Sequence, residues 1–467
     1  MLFSSIPFLY WFLPMTLIIY FIVPKNLKNT VLLLSSLFFY AWGEPKYVIL
    51  MVISILIGWV FGLLIEKSKN KKTSKILVIL SVILNLSFLL YFKYTDFFIS
   101  NINSIVGTDI PLLKIALPIG ISFYTFQILS YTIDVYRGDV DAQTNPLTLG
   151  AYISMFPQLI AGPIVRYSDV AKQLDSREHT ANKIAQGITR FTIGLGKKVI
   201  IANTLGEICE VFNTSNDKSI LFYWLYAASF ALQIYFDFSG YSDMAIGLGK
   251  VLGFDFLENF KYPFISKSIS EFWRRWHMSL GFWFRDYVYI PLGGSRVSKT
   301  RYICNVLIVW MLTGFWHGAS WNFIVWGLYF AIFLTLERFI IGDWLKKHNR
   351  LARLYVIPVI LVSFVIFNSV NIADIGTYLG GMLGLTGEEI ISTEFIYYMR
   401  NYSCILTMAI IGATPIPKNI INKIKEKGDR SRGVINILEC AFVIVVILIV
   451  TAYLVDGSFN PFLYFRF

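Results

Sequence analysis

Long runs of apolar residues, separated by short polar segments, dominate the chain from residue 8 to residue 455. Most runs approach the roughly 20 helical residues that are needed to cross a hydrocarbon core. They show neither the alternation of a half-buried strand nor the wide polar face of a surface helix. The predicted helical runs cover residues 8–23, 30–42, 47–65, 75–92, 113–133, 149–163, 184–208, 218–236, 302–316, 318–340, 354–371, 395–413 and 433–455.

This pattern predicts an all-α, polytopic membrane protein of about 11–14 helices, some of them re-entrant or interfacial. A transmembrane barrel is excluded because its dyad alternation of polar and apolar residues is absent from these continuous runs. The first run has no basic segment before it and no A-x-A-like cleavage site. We therefore interpret it as a retained helix rather than a signal peptide.

Basic residues concentrate in short segments between the apolar runs, above all at 67–75, 346–353 and 418–432. A net charge of +12 distributed in this way indicates the positive-inside pattern of membrane proteins rather than nucleic-acid binding. Counting spans outward from these segments predicts a cell-membrane protein with both termini on the extracytoplasmic side.

Composition supports the membrane assignment and limits the other possibilities. Hydrophobic residues make up 56% of the chain and charged residues 15%, whereas about a quarter of a soluble domain is charged. Because no long linker or evident repeat interrupts the sequence, we predict one membrane domain over residues 1–467. Its motif-bearing core covers residues 117–338, and residues 456–467 form an extracytoplasmic tail. The four scattered cysteines predict neither a disulfide framework nor a metal site.

A single histidine interrupts the apolar run in TGFWHGASWNF, residues 313–323. Ionisable groups at membrane depth are costly and usually face a cavity or a partner. The imidazole of His317 is suited to taking a proton from an attacking hydroxyl and returning it to a leaving group. The alternative is a buried neutral histidine bonded to a backbone carbonyl. Gly314 and Gly318 would allow a helix or a substrate to approach closely, or serve only for packing.

The segment SEFWRRWHMSLGFWFRDYVYIPLGGSR, residues 270–296, mixes arginine, histidine and tryptophan. A helix there would place Arg274, His277 and Arg285 on roughly one face, interleaved with tryptophans. Such a face could hold an anionic cofactor or a polar substrate at the membrane surface. The alternative is an interfacial helix that arginine and tryptophan anchor.

Polar residues also lie within strongly apolar surroundings at 117–138 and 235–247. Helices broken there by Pro118 or Gly240 would let these polar side chains line a hydrophilic cavity. Taken singly, each is more typical of a structural hydrogen bond between helices. The residues concerned are Gln127, Asp134, Asp237 and Asp243.

The motifs resemble a known family when they are taken together. The chain carries, in this order, the segments LPIGISFYTFQ, YTIDVYRG, FPQLIAGPIVR, GLGKKVIIA, YFDFSGYSDMAIG, FWRRWHMSLGFWFRDYVYIPLGG and GFWHGASWNFIVWG. This series, within residues 117–338, is similar to the bacterial branch of the membrane-bound O-acyltransferase (MBOAT) family. The resemblance is closest to alginate-acetylating members and more distant to members that D-alanylate lipoteichoic acid.

The resemblance implies O-acyl transfer in a fold whose cytoplasmic and extracellular funnels meet near mid-membrane. His317 matches the family's catalytic histidine in its WHG motif, and His277 matches the second histidine of its RRWH motif. The implied donor substrate is acetyl-CoA, with no permanently bound cofactor and no metal. Candidate ligands for the donor phosphates are Arg274, Arg275 and Lys197. Asn322 or Ser320 could supply hydrogen bonds to the oxyanion.

The expected function is transfer of an acetyl group across the membrane, from a cytoplasmic thioester donor to an extracellular polysaccharide. The resemblance also implies an extracytoplasmic, esterase-like acetyltransferase as a partner protein. Three alternatives stay open: a transporter or flippase for a polysaccharide or lipid-linked substrate, D-alanyl instead of acetyl transfer, and a scaffold in which His317 has no role. The sequence does not name the acceptor polymer.

The chain ends in the aromatic segment DGSFNPFLYFRF. Its aromatic side chains could simply anchor the tail at the membrane interface. The segment also resembles the C-terminal motif of the small partner protein of lipoteichoic acid D-alanylation, whose tyrosine carries the acyl group, and Tyr464 matches that tyrosine. An extended chain from Val455 to Tyr464 could span about 30 Å. The candidate catalytic residues are therefore His317, His277 and Tyr464, with Tyr464 as an acyl carrier.

Overall fold

The structure, a computed structural model, describes residues 1–457 of the 467-residue chain. Helices joined by loops form all of this described part, and no β-strand occurs in it. The prediction of an all-α protein is therefore confirmed. Tyr464 lies outside the described residues.

Several helices are long and apolar enough to cross a membrane. There are six in the described part of the chain, or seven if the helices Ser403–Gly412 and Ile416–Lys425, which meet at a bend of 63°, count as one span. The six are Val48–Lys67, Lys71–Val106, Ile220–Val251, Trp321–Lys347, Asn349–Asn368 and Asp429–Val455. The protein is thus a multi-pass membrane protein, as predicted.

The chain divides into two compact units. Unit 1 comprises Met1–Phe191 and Met244–Leu257, and unit 2 comprises Thr192–Asp243 and the described residues from Glu258 onward. The assignment of residues 1–467 to a single membrane domain stays a prediction.

Unit 1 is built mainly from the first eight α-helices and a π-helical segment, Phe8–Phe12, at its start. Its helices are α1 (Leu13–Ile22), α2 (Lys28–Gly43), α3 (Val48–Lys67), α4 (Lys71–Val106), α5 (Ile121–Arg137), α6 (Pro146–Ser154), α7 (Phe156–Leu159), α8 (Tyr167–Asp175) and the first part of α9 (Ala181–Gly196). Two glycines let α3 pack closely on α5. A Cβ atom at Gly58 would lie 2.8 Å from the Ile128 side chain, and one at Gly62 would lie 2.6 Å from the Tyr131 hydroxyl.

Unit 2 carries the rest of the helices. They are α10 (Asn203–Thr214), α11 (Ile220–Val251, of which the last turns belong to unit 1), α12 (Ile269–Trp273), α13 (Met278–Phe284), α14 (Lys299–His317), α15 (Trp321–Leu336), α16 (Gly342–Lys347), α17 (Asn349–Asn368), α18 (Ile372–Met382), α19 (Thr393–Asn401), α20 (Ser403–Gly412), α21 (Ile416–Lys425) and α22 (Asp429–Val455). Short π-helical segments precede or follow some of them, at Lys197–Ala202, Arg285–Tyr289 and Glu337–Ile341.

Several helix boundaries differ from the prediction, at positions where the backbone leaves the helical conformation. The run predicted at 113–133 begins only at Ile121, because Gly120 adopts a left-handed backbone with φ 75°. The run predicted at 149–163 is interrupted at Met155, between α6 and α7. Conversely, α11 continues through Gly240 without a break, so the helix break predicted there is wrong. A Cβ atom at Gly240 would lie 2.7 Å from the Gly194 carbonyl oxygen, which makes it a packing glycine.

Candidate functional site

His317 is the last residue of α14, at the point where the chain leaves the helix. Gly318 follows in an extended conformation, and Ser320 precedes the first turn of α15. The side chain of His317 is buried, with 8% of its surface exposed. A polar ring is thus held at the bend of a helical hairpin, inside unit 2.

Three aromatic rings enclose the imidazole of His317. Ring centroids lie 5.0 Å away for Trp316, 5.1 Å for Trp326 and 5.3 Å for Phe367, and all three rings stand nearly perpendicular to the imidazole. Edge-to-face arrangements of this kind are the favoured geometry of aromatic pairs. They fix the position of the imidazole ring more firmly than an apolar pocket of aliphatic side chains would.

Asn322 supports this enclosure from behind. It is almost fully buried, and its Nδ2 donates a hydrogen bond to the backbone carbonyl of Phe367 at 3.1 Å. Since the Phe367 ring contacts His317, the Asn322 amide holds one wall of the cage. This contact supports a positioning role for Asn322. Its suggested role as an oxyanion donor stays a prediction, as does that of Ser320.

The hairpin that carries His317 is tightly packed. A Cβ atom at Gly314 would lie 2.2 Å from the carbonyl oxygen of Phe323, and one at Gly327 would lie 2.3 Å from the carbonyl oxygen of Trp310. At Gly318 a Cβ atom would overlap the Phe323 ring. These glycines let α14 and α15 approach closely, so the packing interpretation of Gly314 and Gly318 is the one that the geometry supports.

His277 lies at a break in the chain instead of within a helix. The prediction of one helix through Arg274, His277 and Arg285 is wrong, because α12 ends at Trp273 and α13 begins at Met278. His277 adopts a left-handed backbone with φ 44°, an uncommon conformation for a residue other than glycine. Such strained positions persist only where surrounding contacts enforce them.

Asn259 supplies those contacts. Its Oδ1 accepts hydrogen bonds from the Ser279 backbone N–H at 3.2 Å and from the Ser279 hydroxyl at 2.9 Å. The same oxygen lies 3.3 Å from Nδ1 of His277, and the Asn259 carbonyl accepts from the Met278 backbone N–H at 3.0 Å. A buried asparagine therefore holds the turn that presents His277.

This network defines which nitrogen of His277 carries the proton. A backbone N–H can only donate, so the side-chain atom of Asn259 that faces Ser279 must be the oxygen. Nδ1 of His277 must then be the donor to that oxygen, which leaves a lone pair on Nε2. Burial lowers the pKa of His277 to about 3, so its ring is neutral near pH 7. Nε2 is buried and makes no hydrogen bond within the described residues.

A cavity of about 240 Å³ adjoins His277. Most of its lining is apolar or aromatic, and Thr313 and Arg285 also border it. Trp273 also lines this cavity, and its Nε1 is likewise buried without a hydrogen-bond partner in the described part of the chain. The lining residues are Trp273, His277, Leu280, Gly281, Phe284, Arg285, Tyr289, Tyr302, Val306, Val309, Trp310, Thr313 and Leu334.

Trp316 connects the two histidines. Its ring centroid lies 5.0 Å from that of His317 and 6.1 Å from that of His277. Phe238 packs on the other side of the His277 ring, at 4.7 Å. The structure thus brings together the two histidines that the sequence identifies as candidates, although 40 positions separate them.

The candidate phosphate ligands lie in different environments. Arg275 is paired with Glu271 at 2.8 Å, and Lys197 is paired with Asp243 at 2.7 Å. Arg274 is exposed and forms no ion pair with any residue from 1 to 457. Of these three side chains, that of Arg274 is therefore the one available to bind a ligand.

The acidic residues of α11 pair with lysines. Asp237 Oδ1 lies 2.6 Å from Nζ of Lys198, and both side chains are buried. Lys198 also donates to Asn203 at 3.0 Å. For Asp237 and Asp243 the structural interpretation is therefore supported over the cavity-lining one. The sequence does not predict roles for Lys198 or Asn259, although the KK pair at 197–198 is a signal for Lys198. Trp273 is one of the tryptophans interleaved with Arg274 and His277 on the predicted face.

Comparison with known proteins places this site in context. The model of the family described as "MBOAT, membrane-bound O-acyltransferase family" matches residues 35–372. A protein named "Probable alginate O-acetylase AlgI" from Azotobacter vinelandii is 37% identical, over the full length of both chains.

Two further relatives carry other names. A "Peptidoglycan O-acetyltransferase" from Helicobacter pylori is 36% identical, over 84% of this chain and 81% of its own. A "Teichoic acid D-alanyltransferase" from Bacillus subtilis is 34% identical, over 53% of this chain and 65% of its own. The resemblance inferred from the motifs is confirmed: the chain is an enzyme that belongs to the membrane-bound O-acyltransferase family.

Proposed function

We propose that this O-acyltransferase moves an acetyl group from acetyl-CoA on the cytoplasmic side to hydroxyl groups of an extracytoplasmic polysaccharide. The observation that carries the proposal is the pair of buried histidines that both pack against Trp316, one of which lines a cavity. In this proposal His317 performs the proton transfers and His277 binds the donor.

His317 acts as general base and then as general acid. Its imidazole accepts the proton of an acceptor hydroxyl while the hydroxyl oxygen forms a bond to the thioester carbonyl carbon. As the carbon–sulfur bond breaks, the imidazolium returns that proton to the departing thiolate. The aromatic rings around His317 exclude water, which would otherwise compete for the acyl group.

Two residues that line the cavity, His277 and Trp273, each carry one buried nitrogen without a hydrogen-bond partner among the described residues. Nε2 of His277 offers a lone pair, and Nε1–H of Trp273 can only donate. Burying both without partners costs free energy, which a ligand that pairs with both would recover. An amide has one N–H and one carbonyl, and the pantetheine arm of CoA carries two amides. We therefore assign the cavity to that arm, with Arg274 as a candidate ligand of the donor's phosphates.

The names of the relatives support the acetyl donor and the polymeric acceptor. The two relatives that match most of this chain are named for acetyl transfer, whereas the D-alanyltransferase matches about half of it. Alginate and peptidoglycan are extracytoplasmic polymers. We therefore propose an extracytoplasmic, esterase-like acetyltransferase as the partner that completes delivery outside the cell. The distribution of lysine and arginine supports both chain termini on that side.

Tyr464 is proposed as an acyl carrier between His317 and that partner. A tyrosine ester is a more reactive acyl donor than a sugar ester, so it could pass the acetyl group to a serine of the partner. Tyr464→Phe keeps the aromatic ring and removes the nucleophile. Wild-type acetylation of the polysaccharide by this variant would show that Tyr464 only anchors the tail.

The cavity assignment is tested by filling it. Gly281 lines the cavity, and a Cβ atom there would meet only the Trp273 carbonyl oxygen, at 4.0 Å. Gly281→Leu should raise KM for acetyl-CoA strongly, whereas Gly281→Ala should leave it close to the wild-type value. The assay follows radiolabelled acetyl-CoA in isolated membranes.

The donor and the acceptor are tested in whole cells. Deleting the gene should remove O-acetyl groups from an extracellular polymer, as detected by mass spectrometry, and the wild-type gene should restore them. If deletion removed D-alanyl esters and left acetyl esters in place, the transferred group would be D-alanyl, and the acetyl proposal would be wrong. Loss of the polymer itself from the cell surface would favour the transporter or flippase alternative.

A further inference from the structure

A group of cationic side chains surrounds Tyr20 in unit 1. Tyr20 is fully buried near the end of α1, and its hydroxyl donates to the backbone carbonyl of Leu252 at 2.7 Å. Nε of Arg177 donates to the same hydroxyl at 2.7 Å, and Nη1 of Arg177 donates to Asn29 at 2.8 Å. These bonds hold the guanidinium of Arg177 in one place.

Two further nitrogen-bearing side chains meet at this tyrosine. Nζ of Lys28 donates to the backbone carbonyl of Tyr20 at 2.9 Å and lies 4.3 Å from the centre of its ring. Nε2 of His179 lies 3.0 Å from the Tyr20 hydroxyl. Lys25 is exposed, three residues before Lys28. The group Lys25, Lys28, Arg177 and His179 is called the Tyr20 cluster below.

The Tyr20 cluster has no acidic counterpart. Lys25, Lys28 and Arg177 form no ion pair with any residue that the structure describes, although Glu178 is adjacent in sequence. The pKa of Lys28 is lowered first by burial and then by repulsion from Arg177 and Lys25. The pKa of His179 is lowered by burial and then by the charge of Lys28. An uncompensated positive potential therefore exists here, and an anion would relieve it.

Exposed apolar side chains lie directly beside this positive potential. α1 ends at Ile22, whose side chain is 77% exposed, and Ile18 one turn earlier is also exposed. Leu27, between the two lysines, is exposed as well. An apolar helix face that leads into clustered cations matches the two halves of a phospholipid, acyl chains and phosphate.

We propose that the Tyr20 cluster binds the phosphate group of an anionic membrane phospholipid. Lys25 and Lys28 bind the phosphate oxygens, Arg177 contributes to the positive potential, and the acyl chains lie along Ile18 and Ile22. A lipid is favoured over a soluble phosphate compound because the exposed apolar face of α1 directly adjoins the cations, so acyl chains and phosphate would be bound in one place. The site belongs to unit 1 and does not depend on the acetyl-transfer chemistry.

Binding of phosphatidylglycerol to the purified full-length protein tests this proposal. Native mass spectrometry in detergent compares phosphatidylglycerol with phosphatidylcholine for the wild type, for Lys25→Gln/Lys28→Gln and for Lys46→Gln. Lys46 is an exposed lysine between α2 and α3, outside the cluster and outside the basic segments, and serves as the matched control. Because Lys25 is exposed, the single variant Lys25→Gln guards against misfolding.

The wild type and Lys46→Gln should bind phosphatidylglycerol in preference to phosphatidylcholine. Each lysine removed from the cluster should weaken binding by about five-fold, so the double variant should lose about 25-fold. Equal binding of the two lipids, or unchanged binding by the double variant, would overturn the proposal. Displacement of the lipid by millimolar inorganic phosphate or CoA would also overturn it, in favour of a soluble phosphate ligand.

Discussion

The two buried histidines of unit 2 are held in opposite ways. His317 ends a regular helix and is enclosed by three aromatic rings, beside glycines that leave no space between α14 and α15. His277 lies in a left-handed turn between two short helices, where Asn259 bonds to its ring, Phe238 and Trp316 pack against it and a cavity adjoins it. A reacting group benefits from a rigid enclosure, whereas a binding group needs space for its ligand. The difference supports separate roles for the two residues.

Replacing His317 should give the largest effect. His317→Ala should lower acetyl transfer by at least about 100-fold, because general acid–base catalysis contributes that much or more. O-acetyl content of the polymer and the amount of protein in the membrane are measured together. His348→Ala, which removes an exposed histidine on α16's C-terminal side, should behave as the wild type. Near-normal acetylation by His317→Ala would contradict the assignment of proton transfer to His317.

Replacing one glycine near each histidine with alanine tests the contrast in packing. Gly314→Ala should lower the free energy of unfolding by about 1–3 kcal/mol, because its Cβ would lie 2.2 Å from the Phe323 carbonyl oxygen. Gly281→Ala, on the cavity side, should leave stability unchanged or raise it by about 0.5–1 kcal/mol, since it is a helical glycine with space around it. Thermal unfolding in detergent compares the two variants. Equal losses of stability would contradict the contrast.

The two regions also differ in how far the sequence predicts them. A lone histidine in a long apolar run marks His317 without any structure, and hydrophobic periodicity predicts the helices on either side. The environment of His277 depends on Asn259, which lies 18 positions earlier in an irregular loop. Periodicity carries no information on such a contact, so a continuous helix was predicted there. The ion pair of Lys198 with Asp237 was missed for the same reason.

The unpaired indole nitrogen of Trp273 offers a second test of the cavity assignment. Trp273→Phe keeps an aromatic ring against Trp310 and removes the unpaired Nε1–H. If this N–H donates a hydrogen bond to the pantetheine arm of acetyl-CoA, the variant's KM for acetyl-CoA should rise about 2- to 10-fold, with little change in kcat. Trp310→Phe, which alters a neighbouring ring of the same cavity, is the matched control. A fall in kcat alone would place Trp273 outside donor binding.

The smallest effect at neutral pH is expected for Asn259→Asp, and it appears only in the pH dependence. The pKa of His277 is lowered to about 3 by burial, so in the wild type this ring stays neutral, with its Nε2 lone pair, between about pH 5 and 8. Asn259→Asp keeps an acceptor for Nδ1–H and for Ser279 but adds a negative charge, which raises the pKa of His277. As the pH falls through the raised pKa, the imidazolium loses its lone pair and donor binding weakens. Compared with the wild type, the variant should therefore show a KM for acetyl-CoA that rises at acid pH and is nearly unchanged at pH 8.

Asn259→Ala removes the acceptor without adding charge, so it should raise KM at every pH and leave the shape of the profile unaltered. Profiles of the same shape for the wild type and Asn259→Asp would mean that the lone pair of His277 does not bind the donor.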